Sequence, residues 1–93
     1  MRITAEISLY PLNEHFVTHI SDFIVRLRRE PGLEVVSNQL STQLRGEFAA
    51  VTGAIGRCME ASMADPGAIV FVVKYLNADL PIGSAPRITA PGP

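Results

Sequence analysis

Cysteine is nearly absent from this chain and tryptophan wholly so. Among 93 residues there is one cysteine, no tryptophan and 6% aromatics. Cys58 has no second thiol to pair with, so no internal disulfide can staple the fold. Charge of either sign is also sparse, with eight lysines and arginines against nine acids and a net charge of −1, and the pI is ≈ 6.0. So weak a field does not gather phosphate backbones or anionic lipid, and both nucleic acid and membrane surfaces are disfavoured as partners. No apolar run approaches the roughly 20 residues that span a bilayer. The opening MRITAEISLYPL lacks a basic segment followed by an apolar stretch and a cleavage site. A cytoplasmic protein is expected. The chain also lacks a Gly-rich phosphate loop, a Ser/His/Asp or Cys/His arrangement in a recognisable context, and paired carboxylates placed to share a site. The expectation is therefore a protein that is not an enzyme and that carries no cofactor or metal.

What the chain has is apolar residues, 47% against 18% charged. A domain of this length buries only roughly 60–65% of the surface its unfolded chain exposes. Its own interior does not need so many apolar side chains. The surplus points to contact with another subunit, and a homo-oligomer, dimer or tetramer, is expected.

Residues 2–10 alternate, with Ile3, Ala5, Ile7 and Leu9 on one side and Thr4, Glu6, Ser8 and Tyr10 on the other. This is the period of a strand with one buried face. Pro11 ends it, and Asn13 is placed to cap a helix. Over 14–30, Phe16, Ile20, Phe23, Ile24 and Leu27 form one helical stripe. His15, His19 and Asp22 share the opposite face at a spacing that suits metal ligands, but no fourth ligand or supporting partner accompanies them, and a solvated face is the simpler reading. Pro31-Gly32 stops the helix.

Residues 33–38 and 40–45 read as an antiparallel pair, although no Asn-Gly or Asp-Gly marks the turn. Leu40 and Leu44 are expected to face the helices, with Ser41, Gln43 and Arg45 on the other side. A second helix spans 47–63, with Phe48, Val51, Ile55, Cys58 and Ser62 on its buried stripe. Cys58 is read as a small core residue rather than a reactive thiolate. Gly53 and Gly56 either allow close backbone packing or weaken this helix. After the Asp65-Pro66-Gly67 turn, residues 68–76 (AIVFVVKYL) are apolar on both faces, as in a strand covered on both sides. The resulting β-α-β-β-α-β order is a split βαβ pattern. It predicts an α+β, ferredoxin-like domain over residues 1–77, with an antiparallel sheet of order 4-1-3-2 and both helices on one face. Residues 78–93 hold four of the seven prolines and are expected to form an irregular tail, or one draped over a partner.

In that order the first and third strands are central neighbours. The face away from the helices then gathers Glu6, Ser8 and Tyr10 beside Ser41 and Gln43. These groups are either the wet side of an open sheet or, if a subunit covers the last strand, a half-dry polar groove suited to a flat, nitrogen-rich small molecule.

Residues 5–12 (AEISLYPL) and 38–47 (NQLSTQLRGE) resemble the YkoF-type thiamine-binding family. The likeness in element order runs over about residues 2–76. It departs from the usual pattern at Asn13, where glycine is common, and at Gln39, where proline is common. The resemblance implies a multimeric ferredoxin-like protein that binds thiamine or its hydroxymethylpyrimidine part without catalysis, in salvage or transport. It implies a ligand site drawn from Glu6, Ser8, Asn38, Ser41, Thr42 and Gln43, in which Glu6 accepts from the exocyclic amine or shares a proton with a ring nitrogen. The alternatives are a structural or regulatory homo-oligomer with no small-molecule ligand, or a small enzyme of unidentified reaction.

Overall fold

The computed structural model describes residues 1–89. Residues 90–93, the end of the tail expected at 78–93, lie outside the described residues. The elements are β1 (Arg2–Pro11), α1 (Phe16–Arg29), β2 (Glu34–Ser37), β3 (Thr42–Glu47), α2 (Phe48–Met63) and β4 (Ile69–Leu76). The strands form one antiparallel sheet in the order β2-β3-β1-β4. Read from the other edge this is 4-1-3-2, so the ferredoxin-like α+β arrangement expected from the alternation is the one observed.

The period-2 alternation of β1 decides its faces. Ile3, Ala5, Ile7 and Leu9 are all buried. They meet Phe23 and Leu27 of α1, and Val51, Ala54, Ile55 and Cys58 of α2. From β4, Phe71 reaches this core, its ring centroid 5.4 Å from that of Phe23 at 54°, a tilted aromatic contact. Two polar links reinforce the helix layer. Arg57 of α2 donates through Nε and Nη2 to the Glu30 carboxylate at the end of α1, at 3.0 and 2.8 Å. His19 Nδ1 of α1 lies 3.7 Å from Asp65 Oδ2 in the turn after α2.

The passage from β3 into α2 uses no connecting residues, since Glu47 ends the strand and Phe48 begins the helix. Gly46 makes this possible. A Cβ there would sit 2.8 Å from the Gly32 carbonyl oxygen and 3.0 Å from Leu33 Cδ2. Asn13 is not the helix cap that its position suggested: His15 holds the N-cap position without a side-chain cap bond, and Asn13 Oδ1 instead accepts from the His15 N–H at 2.8 Å, closing the turn before α1. In the turn before β4, Gly67 has φ +105, a conformation glycine adopts without strain.

Three expectations about side-chain placement are corrected. Phe16 and Phe48 are 51% and 53% exposed, because each is the first residue of its helix and lies before the turns that rest on the sheet. Leu40 does not face the helices and is 89% exposed. β3 starts only at Thr42, so residues 38–41 are turn. The missing Asn-Gly signal is replaced by Asn38, whose Oδ1 accepts from Leu40 N–H at 2.9 Å and Ser41 N–H at 3.1 Å, while its own N–H donates to the Ser41 carbonyl at 3.0 Å. An Asn side chain closing a turn on its own backbone is the Asx device.

Candidate functional site

The site is built on the sheet face away from the helices, and the strand register places its parts. Glu6 in β1 is paired with Gln43 in β3 and with Lys74 in β4. Because neighbours across a sheet point to the same side, these three side chains form one row across the central strands. Ser41, just before β3, joins the row end. Its Oγ donates to Glu6 Oε2 at 3.0 Å, and Lys74 Nζ lies 3.5 Å from Glu6 Oε1. Both carboxylate oxygens of Glu6 therefore have partners, and its side chain is 39% exposed. Ser8 lies two residues along the same face, opposite Val72.

Of the residues expected at a site, Glu6, Ser8, Ser41 and Gln43 are brought together on this face. Thr42 is not among them. It pairs with Ile7, so it points under the sheet, where it is 2% exposed and its hydroxyl shares a 2.8 Å hydrogen bond with Ser37 Oγ. Asn38 stands apart as well, since its side-chain oxygen closes the turn. Those two do line a smaller hollow of about 90 Å³ beneath that turn, together with Ser8, Ser41, Ile20 and Ile24.

The C-terminal segment was not part of the expected site, yet it lies on this face. Thr4 Oγ1 donates to the Ala78 carbonyl at 2.7 Å and accepts from the Leu80 N–H at 2.9 Å. Arg45 Nη1 donates to the Leu80 carbonyl at 2.8 Å, and Arg2 Nε donates to Asp79 Oδ2 at 2.9 Å. These contacts leave Thr4 only 6% exposed, although it is on the face the alternation marks as outward. The one signal in sequence was the pair Leu80 and Ile82, the large apolar residues of a 78–87 stretch otherwise made of alanine, glycine, proline and three polar residues. Leu80 and Ile82 join Glu6, Gln43, Lys74 and Leu76 around a groove of about 260 Å³. A second groove of about 400 Å³ adjoins it along residues 80–87 and shares Gln43, Leu80 and Ile82. The first groove thus offers one carboxylate, one amide and one ammonium group between apolar walls. That combination suits a small planar molecule carrying both donors and acceptors.

On the same face of the edge strand β4, beyond the groove, Val70 and Val72 are 45% and 44% exposed, and Lys74 separates them from Leu76 of the groove wall. Cys58 is buried, and burial pushes its thiol above the ordinary 9.0, with the nearby Glu30 charge acting in the same direction. No helix among the described residues is long and apolar enough to cross a membrane.

No protein-family model matches the sequence, and no curated protein does either. Solved structures do match. A protein of Thermotoga maritima, assigned provisionally to thiamine biosynthesis or salvage, superposes with a TM-score of 0.72 at 16% identity, covering 92% of this chain and 90% of that one. A hypothetical protein of Methanocaldococcus jannascii gives 0.73 at 20% identity over 84% of this chain and 81% of its own. A domain of unknown function, DUF77, from Bacillus cereus gives 0.72 at 15% identity, covering 85% and 78%. At these identities the likeness is one of fold.

Proposed function

We propose that this protein binds thiamine or its hydroxymethylpyrimidine moiety without chemically transforming it, in the groove over Glu6 and Gln43, as a cytoplasmic homo-oligomer in vitamin salvage or transport. The observation that carries the reading is the Glu6 carboxylate, held between Ser41 Oγ at 3.0 Å and Lys74 Nζ at 3.5 Å on the floor of a groove of about 260 Å³. An aminopyrimidine presents an exocyclic amine as donor and ring nitrogens as acceptors. Glu6 accepts from the amine, Gln43 serves the ring edge, Ser41 holds the Glu6 carboxylate, and the apolar walls cover the ring faces. The fold shared with the Thermotoga maritima protein, assigned provisionally to thiamine biosynthesis or salvage, supports a thiamine-related role.

A second reading, a structural or regulatory oligomer without a ligand, draws on a different observation. The half-exposed pair Val70 and Val72 on the edge strand suits a subunit interface whether or not the groove is filled. A thermal-shift screen against thiamine, its phosphates, the pyrimidine alcohol and control vitamins, followed by titration calorimetry on any hit, separates the two. Binding confined to the thiamine-related compounds is the expected result. A stable oligomer with no heat for any of them would select the second reading.

A further inference from the structure

Residues 78–87 contain two prolines, Pro81 and Pro86, and no helix or strand, so nothing local would hold them in place. They are nevertheless held at their start by side chains of the sheet. The Thr4 hydroxyl bonds twice, to the Ala78 carbonyl and from the Leu80 amide. The Arg45 guanidinium takes the Leu80 carbonyl, so both backbone polar groups of Leu80 are satisfied by side chains from β1 and β3. Asp79 is bracketed by Arg2 Nε at 2.9 Å and Arg45 Nη1 at 3.6 Å. The Ile82 N–H folds back onto the Leu80 carbonyl at 2.9 Å, which sets the two apolar side chains of this turn beside the row of Glu6, Gln43 and Lys74. A segment with no secondary structure whose backbone is pinned at one residue from two strands has a defined position. Here that position is the open side of the groove.

We propose that residues 78–87 are a strap belonging to the binding site, with Leu80 and Ile82 as the apolar wall that selects flat heterocycles and Thr4 as the residue that positions them. The inference rests on the reading of the groove as a small-molecule site and deepens it. β4 supplies one wall through Leu76 and the stem of Lys74, the central strands supply the polar floor, and the strap supplies the opposite wall. The sheet alone would offer the same polar row to open solvent, where hydrogen bonds to a ligand compete with water and contribute little. With the strap in place, binding removes both Leu80, 43% exposed, and the ring from water. Apolar contact with the ring, rather than its polar edge alone, then sets affinity. Thr4 itself lies at the edge of the groove, but its hydroxyl is already bonded twice to the strap, so it acts through Leu80.

The test uses the full chain and two variants, titrated calorimetrically with thiamine and with the hydroxymethylpyrimidine alcohol, alongside amide hydrogen exchange at Leu80. Leu80→Ala combined with Ile82→Ala keeps every polar anchor and truncates one exposed and one half-buried side chain. It is expected to retain the circular dichroism of the wild type and to bind both compounds at least tenfold more weakly. Thr4→Val, which keeps a β-branched side chain in β1, is expected to speed exchange of the Leu80 amide at least tenfold and to weaken binding in parallel. A folded Leu80→Ala/Ile82→Ala protein that binds as tightly as the wild type would overturn the strap while leaving the ligand reading intact. No binding by the wild type itself would remove the ligand reading, and the strap's role in the site with it.

Discussion

Replacing Glu6 with glutamine isolates the charge at the centre of the groove. Glutamine has the same shape and still accepts from Ser41 Oγ, so the 3.0 Å contact survives. The exchange removes the attraction to Lys74 Nζ at 3.5 Å and any charge-assisted bond to a bound amine. The effect on folding is small. Lys74 is 75% exposed, and an exposed pair of this kind contributes about 0–1 kcal/mol. For a domain of this size that corresponds to a Tm decrease of no more than about 8 °C. The effect on binding is larger. A hydrogen bond to a charged group contributes about 1.5–3 kcal/mol, and the 39% exposure of Glu6 argues for the lower end, about tenfold in Kd. Calorimetric titration of wild type and Glu6→Gln with the pyrimidine alcohol measures that ratio, and a parallel melting curve measures the first effect. Equal affinities would show that the Glu6 charge does not recognise the ligand. A binding loss matched by a collapse in Tm would show that Glu6 acts on the fold instead.

Four further expectations follow from the packing. A Cβ on Gly56 meets nothing within 4 Å, so Gly56→Ala should stabilise α2 by about 0.5–1 kcal/mol, seen as a higher urea midpoint with unchanged slope. Gly46→Ala places a methyl 2.8 Å from the Gly32 carbonyl and should cost about 1–3 kcal/mol in the same assay, as overpacking does. Cys58 is 3% exposed with its thiol pushed upward by burial. Because its folded pKa is raised, its share of stability is present below the ordinary 9.0 and is lost as pH rises beyond it. Native protein should therefore react slowly with a thiol reagent at pH 8, denatured protein quickly, and Cys58→Ala should show a shallower loss of stability as the pH rises above 9.0. Light scattering at micromolar concentration should report a dimer or tetramer. A stable 10.1 kDa monomer would refute that expectation and leave the half-exposed Val70 and Val72 without a cover.

The amino-acid sequence by itself determined whatever depends on local periodicity. The alternation of Ile3, Ala5, Ile7 and Leu9 assigned the buried face of β1. The spacing of Phe23 and Leu27, and of Val51, Ile55 and Cys58, assigned the helix faces that rest on it. Each pattern repeats within a few residues, because a strand turns its side chains every second position and a helix every three or four. Alternation put Glu6 and Ser8 on one face of β1 and Ser41 and Gln43 on one face of the third run, and the expected 4-1-3-2 order brought the two pairs together. Only the tertiary structure decided what rests on contacts between distant segments. Leu40, Thr42 and Leu44 share one side by alternation, and Leu40 leaves the core only because β3 begins at Thr42. The turn that Asn38 closes with its own side chain takes Leu40 out of the strand. The partnership of Glu6 with Ser41 joins residues 35 apart, and the hold of Thr4 on Leu80 joins residues 76 apart. No local period encodes such a meeting. The strap had the weakest signature of all, because its position comes from the side chains of Thr4, Arg2 and Arg45 on other strands and not from any conformational preference of residues 78–87.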